Sequence, residues 1–231
     1  MQHYPGPGFT AALPGAFGYA AWSVDPVRIG PFVRRSARRR RTISDLSTIA
    51  AELVQRPEVT GVRLFEAVFI PPLRAIPEYD VVMLAQAATR QTATDLLGDP
   101  RLISTEPATR FLALNAARFG VTDNGDPRAS ILLNHFTGRS TRPAAVQAWR
   151  TISAWFVAKT GIDNSTLLQT EDCAPFLLVN YARLPAGVVS FLLNQLLRPS
   201  FYRHVRAPLA RDRLTSLPLF VRPVAIGSTD E

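Results

Sequence analysis

Thiols, histidines and lysines are all scarce in this chain. Its 231 residues include one cysteine, Cys173. A lone thiol closes no intrachain disulfide and builds no thiolate zinc site. A reducing compartment fits that usage. The three histidines are scattered, with neither HxxE nor HExxH spacing, so no metal constellation is expected. No GxSxG elbow, Walker loop or GxGxxG is present, and the PGPG at 5–8 reads as a turn. The acidic residues fall mainly in loops and helix caps, which leaves a paired-carboxylate mechanism without support.

Long apolar runs are lacking too. The longest, PFLLVNYARLPAGVVSFLLNQLL at 175–197, is broken by Asn180, Arg183, Pro185 and Asn194, which argues against a membrane span. The stretch MQHYPGPGFTAALPGAFGYAAW has no basic leader and is interrupted by Pro and Gly, unlike a signal peptide. A cytoplasmic location is expected.

Of 26 basic residues only Lys159 is a lysine, and the net charge is +8. The skew toward arginine reads as the codon usage of a GC-rich genome, which discounts charge as evidence of a partner. One cluster is local: RRSARRRR at 34–41. Such density attracts polyanions. No aromatic residue is interleaved, however, and no nucleic-acid motif accompanies it. Arg34–Arg41 therefore reads as a solvated, flexible segment ahead of a helix. Replacing Arg38–Arg41 should leave folding unchanged, and nucleic acid is not an expected partner.

What remains is an ordinary globular composition, 47% apolar and 19% charged. The C-terminal half reads most clearly. A strand is predicted at 130–137. A helix follows, capped by Thr141, started by Pro143 and closed by Gly161. Its Ala145, Trp149, Ile152 and Phe156 recur at helical spacing, and Trp149 and Trp155 read as packing. Strands are expected at 165–170, 176–184 and 217–225, with a helical region at 187–213 interrupted by Pro199 and Pro208. That order is βαββαβ, the ferredoxin-like pattern.

The N-terminal half repeats it loosely. A first strand is placed around 17–24 and a helix at 43–56 capped by Ser44. Strands follow at 62–70 and 79–88, a short helix at 89–103 and a strand at 110–117. LLGDPRLI around Pro100 and QLLRPSFY around Pro199 mark a repeat of about 100 residues. The expected fold is α+β: two tandem ferredoxin-like units, residues 1–118 and 130–226, joined by a linker at 119–129 and followed by a tail at 227–231. Strands apolar on both faces require the two sheets to bury one face against each other. The result is an intrachain barrel.

About the last 100 residues carry LLNHF, AWRTISAWFVAKTGIDNSTLLQ, FLLVNYARL, RPSFYRHV and SLPLFVRPV. With these segments the C-terminal half resembles the antibiotic biosynthesis monooxygenase family of dimeric α+β barrels. It implies a pseudo-dimer with a diverged N-terminal copy and a cavity between sheet and helices. It also implies cofactor-free oxygenation of aromatic phenols, or haem degradation in another branch. An Asn at the position of Asn134 helps to hold substrate or dioxygen in that family. The haem branch places a His four residues past the last-helix Phe and a Trp upstream. Here His204 lies three past Phe201, and the Trp position falls near Gln195, so no haem or other cofactor is expected.

Polar residues in buried strands need partners, which makes Asn134 the leading site residue. Strand alternation separates it from His135 and separates Asn180 from Tyr181. One face of the first strand meets the helices and the other the space between the units. The resemblance assigns Asn134 to the cavity, which directs His135 at the helix layer. His204 or Tyr181 would handle a proton. The expected partner is a small aromatic or apolar molecule, and a homodimer is compatible. A non-catalytic binding or interaction protein that kept the fold is the alternative, with haem binding or degradation a third.

Overall fold

The computed structural model describes residues 4–123, 125–171 and 173–226. In the first half the chain forms β1 (Ala16–Trp22), β2 (Arg28–Ile29), β3 (Phe32–Val33), α1 (Ala37–Leu53), β4 (Val59–Phe69), β5 (Val81–Ala87), α2 (Arg90–Leu97), α3 (Pro100–Ser104) and β6 (Thr109–Phe119). The second half runs β7 (Ile131–Gly138), α4 (Arg142–Thr160), β8 (Ser165–Thr170), β9 (Leu178–Arg183) and α5 (Val188–Leu196). It ends with α6 (Pro199–Phe201), a π-helical turn at Tyr202–Arg206, α7 (Ala207–Arg211) and β10 (Leu214–Val224).

Sheet order is β6-β1-β5-β4 in the first half and β10-β7-β9-β8 in the second. β6 pairs with β8, and β10 pairs with β4, all antiparallel. Among the described residues, eight strands thereby close into a barrel. Closure removes the open edges that an antiparallel sheet would otherwise leave. The β2–β3 hairpin, turning at Gly30 with φ +58°, hangs on β4 through Phe32 and Phe69. That hairpin had no counterpart in the sequence reading.

Alternation fills three layers. Phe17, Tyr19, Phe65, Phe111, Leu133 and Leu219 point into the barrel. Leu46, Ala50 and Leu53 of α1 pack outside the first half against Val81 and Met83. Trp149, Ile152 and Trp155 of α4 pack outside the second half against Leu132, Phe136 and Leu178. No described helix is long and apolar enough to cross a membrane. Cys173 is exposed and unbonded.

Local signals account for the element ends. Thr141 accepts from the Ala144 N–H at the start of α4, and Gly161 closes it at φ +75°. The helix expected at 89–103 breaks at Gly98, and Asp99 recaps the chain by accepting from the Arg101 N–H. Pro199 interrupts the C-terminal helical region as expected, but Pro208 does not. The widened turn at Tyr202–Arg206 takes its place ahead of Pro208 in the first turn of α7, where a missing N–H costs little.

The arginine run required correction. Helix α1 is capped by Ser36, not Ser44, so Arg38–Arg41 lie inside the helix. Arg39 is 2% exposed. Its Nε donates to Glu66 at 3.0 Å, and its Nη1 lies 3.5 Å from buried Asp80. A buried guanidinium survives only with such partners. The segment is therefore ordered helix with one structural arginine, not a flexible lead-in.

Candidate functional site

A largely apolar opening into the barrel lies at its mouth, beneath the segment that links the halves. Leaving β6, the chain turns at Gly120, φ +61°. A Cβ there would sit 2.1 Å from the Asp163 carbonyl oxygen, so only glycine fits. The turn carries Asp123 over the barrel end. β9 alternates Asn180 outward and Tyr181 inward, and β4 turns Arg63 to the same face as Phe65. Tyr181 donates its hydroxyl to Asp123, and Arg63 Nε reaches the same carboxylate oxygen at 2.6 Å. Around this triad lies a cavity of about 450 Å³ whose walls include Phe65, Ile131, Leu64 and Val224. Burial pushes the Tyr181 phenol well above its usual range, and the neighbouring Asp123 charge adds to the effect while Arg63 opposes it. The phenol stays protonated at neutral pH.

Deeper in, the barrel holds a second polar group. His135 is fully buried. Its Nε2 meets the Tyr19 hydroxyl at 2.8 Å and its Nδ1 the Leu217 carbonyl oxygen at 3.3 Å. A carbonyl only accepts, so Nδ1 carries the proton and Nε2 accepts from Tyr19. Burial holds the imidazole pKa down at about 4, against a smaller opposing effect of the Leu217 bond. Phe176 and Tyr79 pack on the ring.

On the opposite face, toward α4, a row of polar side chains crosses the sheet. Ser216 donates to Asn134 Oδ1 at 2.8 Å, Asn134 pairs with Asn180 across β7 and β9, and Ser165 donates to Asn180 Oδ1 at 2.5 Å. Phe119, Trp149 and Phe156 help to wall the gap beside them, which measures about 30 Å³. That space suits a water molecule, not a polycyclic phenol.

No protein-family model matches the chain, and no curated protein matches it. Solved structures do. An anthrone oxidase-like protein superposes with a TM-score of 0.61 at 10% identity, covering 92% of this chain and 93% of that one. A candidate monooxygenase from Fusobacterium nucleatum gives 0.56 at 7% identity, with 94% of each chain covered. A candidate chlorite dismutase gives 0.52 at 10% identity, covering 92% and 95%. These neighbours are dimeric α+β barrels. The chain has the dimeric α+β barrel fold.

Within that barrel, the three residues singled out from sequence do not converge. Asn134 faces the sheet–helix layer, where the resemblance puts its cavity, and not the space between the units, where alternation would put it with His135 turned to the helices. Tyr181 points to the barrel mouth, through the other face of the sheet. His204 sits half-buried on the π-helical turn, edge-on to Tyr4 with ring centroids 5.0 Å apart, and lines neither space. The expected direction of His135 is reversed: it points into the barrel, not at the helices. His135 has both ring nitrogens bonded and offers no free donor in this arrangement.

Sequence reasoning missed Arg63 and Asp123. Asp123 lay in a stretch read only as turn residues, and nothing local distinguishes it from Asp126. The one usable signal was Tyr181, set two places from Arg183 on β9 and on the face opposite Asn180.

Proposed function

We infer that this chain binds a small aromatic or otherwise apolar molecule in the barrel-mouth cavity, as an oxygenase of the antibiotic biosynthesis monooxygenase type made of two ferredoxin-like repeats. One observation carries the binding reading: an apolar cavity of about 450 Å³ on which Tyr181, Asp123 and Arg63 converge. Small-molecule sites have this size and this mixture of apolar wall and few fixed polar groups. The identical strand order of the two halves supports the repeat. Likeness to proteins described as monooxygenase and anthrone oxidase-like supports the oxygenase class.

The chemistry is loss of a proton from an electron-rich phenol, then addition of dioxygen to a ring carbon of the resulting anion; the peroxide so formed takes up a proton and loses water to leave a quinone. Arg63 offers positive charge to the phenolate, Asp123 accepts the proton, and the Tyr181 hydroxyl, released as that carboxylate is protonated, donates its hydrogen bond to the phenolate. The apolar walls keep water from competing for these contacts. A second reading rests on the Asn134–Asn180 row with its aromatic walls. There Asn134 orients substrate or dioxygen once the gap beside α4 widens.

Titration with anthrone, followed by protein fluorescence and by an oxygen electrode, tests both. Tyr181→Phe and Arg63→Met should each weaken binding roughly tenfold, the scale of one lost hydrogen bond to a charged group, while Asn134→Ala leaves it unchanged. The reverse pattern would move the site to the sheet–helix gap. Binding without oxygen consumption would leave the non-catalytic alternative.

A further inference from the structure

Beside the mouth cavity lies a second, larger concavity of opposite character. Arg35, Arg40 and Arg41, at and just inside the start of α1, face the end of β10 from Arg222 to Ala225. Between them is a cleft of about 740 Å³. Among the described residues Glu66 is the single carboxylate in its wall, and it is already engaged. One oxygen accepts from buried Arg39 at 3.0 Å and the other from Arg222 at 2.6 Å. Arg35, Arg40 and Arg41 are exposed and form no ion pair among the described residues. Ser36, Ser44 and Ser47 add polar groups to the wall, and Ile43, Pro127, Pro223 and Val224 give it an aliphatic part.

Three guanidinium groups without an ion pair among the described residues, set around one hollow, repel one another, and a multivalent anion between them relieves that repulsion. Their fork geometry matches phosphate oxygens. The shape selects a compact ligand. A duplex backbone is tracked by a continuous basic stripe, but here Arg39 is turned inward and Arg38 lies outside the cleft. No aromatic ring lines the cleft, so a nucleobase has no face to stack on.

We propose that this cleft binds an organic diphosphate, its phosphate oxygens on Arg35, Arg40 and Arg41 and its aliphatic body against Ile43, Pro127 and Val224. The site shares the wall at Pro127 and Pro223–Ala225 with the mouth cavity but uses none of Arg63, Asp123 and Tyr181. It stands whether or not that cavity binds a phenol.

Calorimetric titration of the full chain with inorganic pyrophosphate, geranyl diphosphate and geraniol tests the proposal. Pyrophosphate should bind and lose affinity as salt rises. Geranyl diphosphate should bind roughly tenfold more tightly, through the apolar area it buries, and geraniol should not bind. The double variant R40Q/R41Q should weaken both diphosphates at least roughly tenfold, as charge-assisted bonds are lost, while R38Q leaves them unchanged. Circular dichroism checks that each variant is folded. Failure of pyrophosphate to bind at low salt overturns the proposal, as does an equal loss in R38Q, which would mean diffuse charge. Equal affinity for the two diphosphates overturns the aliphatic subsite. Duplex DNA that binds tightly and is not displaced by pyrophosphate assigns the arginines to nucleic acid instead.

Discussion

Tyr19 and His135, 116 positions apart in the chain, share a hydrogen bond of 2.8 Å inside the barrel. Tyr19 belongs to β1 and His135 to β7, so the bond ties the first half to the second across the common core. Burial, not the bond itself, keeps the imidazole neutral, and the neutral ring accepts at Nε2 from Tyr19 and donates from Nδ1 to Leu217.

That burial makes stability depend on pH. His135 titrates at about 4 in the folded chain, against 6.5 for an ordinary histidine. Between those values the unfolded chain binds a proton that the folded one refuses. The contribution is therefore complete above pH 6.5 and is lost as pH falls toward about 4, to a total of roughly 3 kcal/mol. Urea denaturation across this window should show a steeper loss for the native chain than for His135→Leu. Parallel pH profiles would mean the imidazole is reached by water.

Arg39 separates the arginine run into one structural member and several solvated ones. Arg39→Met should cost about 3–5 kcal/mol, because Asp80 and Glu66 lose the cation that faces them in a buried setting. Arg38→Gln should stay within about 0.5 kcal/mol, as surface substitutions do. Chemical denaturation midpoints of the two variants check the difference. Similar midpoints would mean that Asp80 is held by the Val24 and Asp25 backbone N–H groups, at 2.8 Å each, without need of Arg39.

Asn134→Ala removes the acceptor of the Ser216 hydroxyl. Both side chains are half-buried, and water can replace the lost group. The cost should fall near about 1 kcal/mol, the low end for an unsatisfied donor. Thermal denaturation measures it. A loss several times larger would make the polar row a rigid structural element of the sheet.

Much of the architecture was legible because it follows from local rules. The order of strands and helices, the Thr141 and Gly161 ends of α4 and the pairing of faces along β7 come from capping chemistry and from alternation. Helix α1 shows where such rules stop. Ser36 and Ser44 are equally good caps by residue type, and the choice fell to Ser36 because Arg39, three places on, found half-buried Glu66 on β4 and buried Asp80 just before β5. That attraction is tertiary, and no window of the sequence contains it.

The same limit governed the site. Alternation determined that Asn134 and His135 part company, and the sequence by itself fixed that much. Which of them entered the barrel depended on β10 closing onto β4 and on Tyr19 waiting across the core, contacts between residues far apart in the chain. Likewise Tyr181 was identifiable as an inward or outward polar residue on β9, but Asp123 and Arg63 became its partners only when the linking segment crossed the barrel end. Local chemistry sets the faces of each element, and closure of the barrel decides what those faces meet.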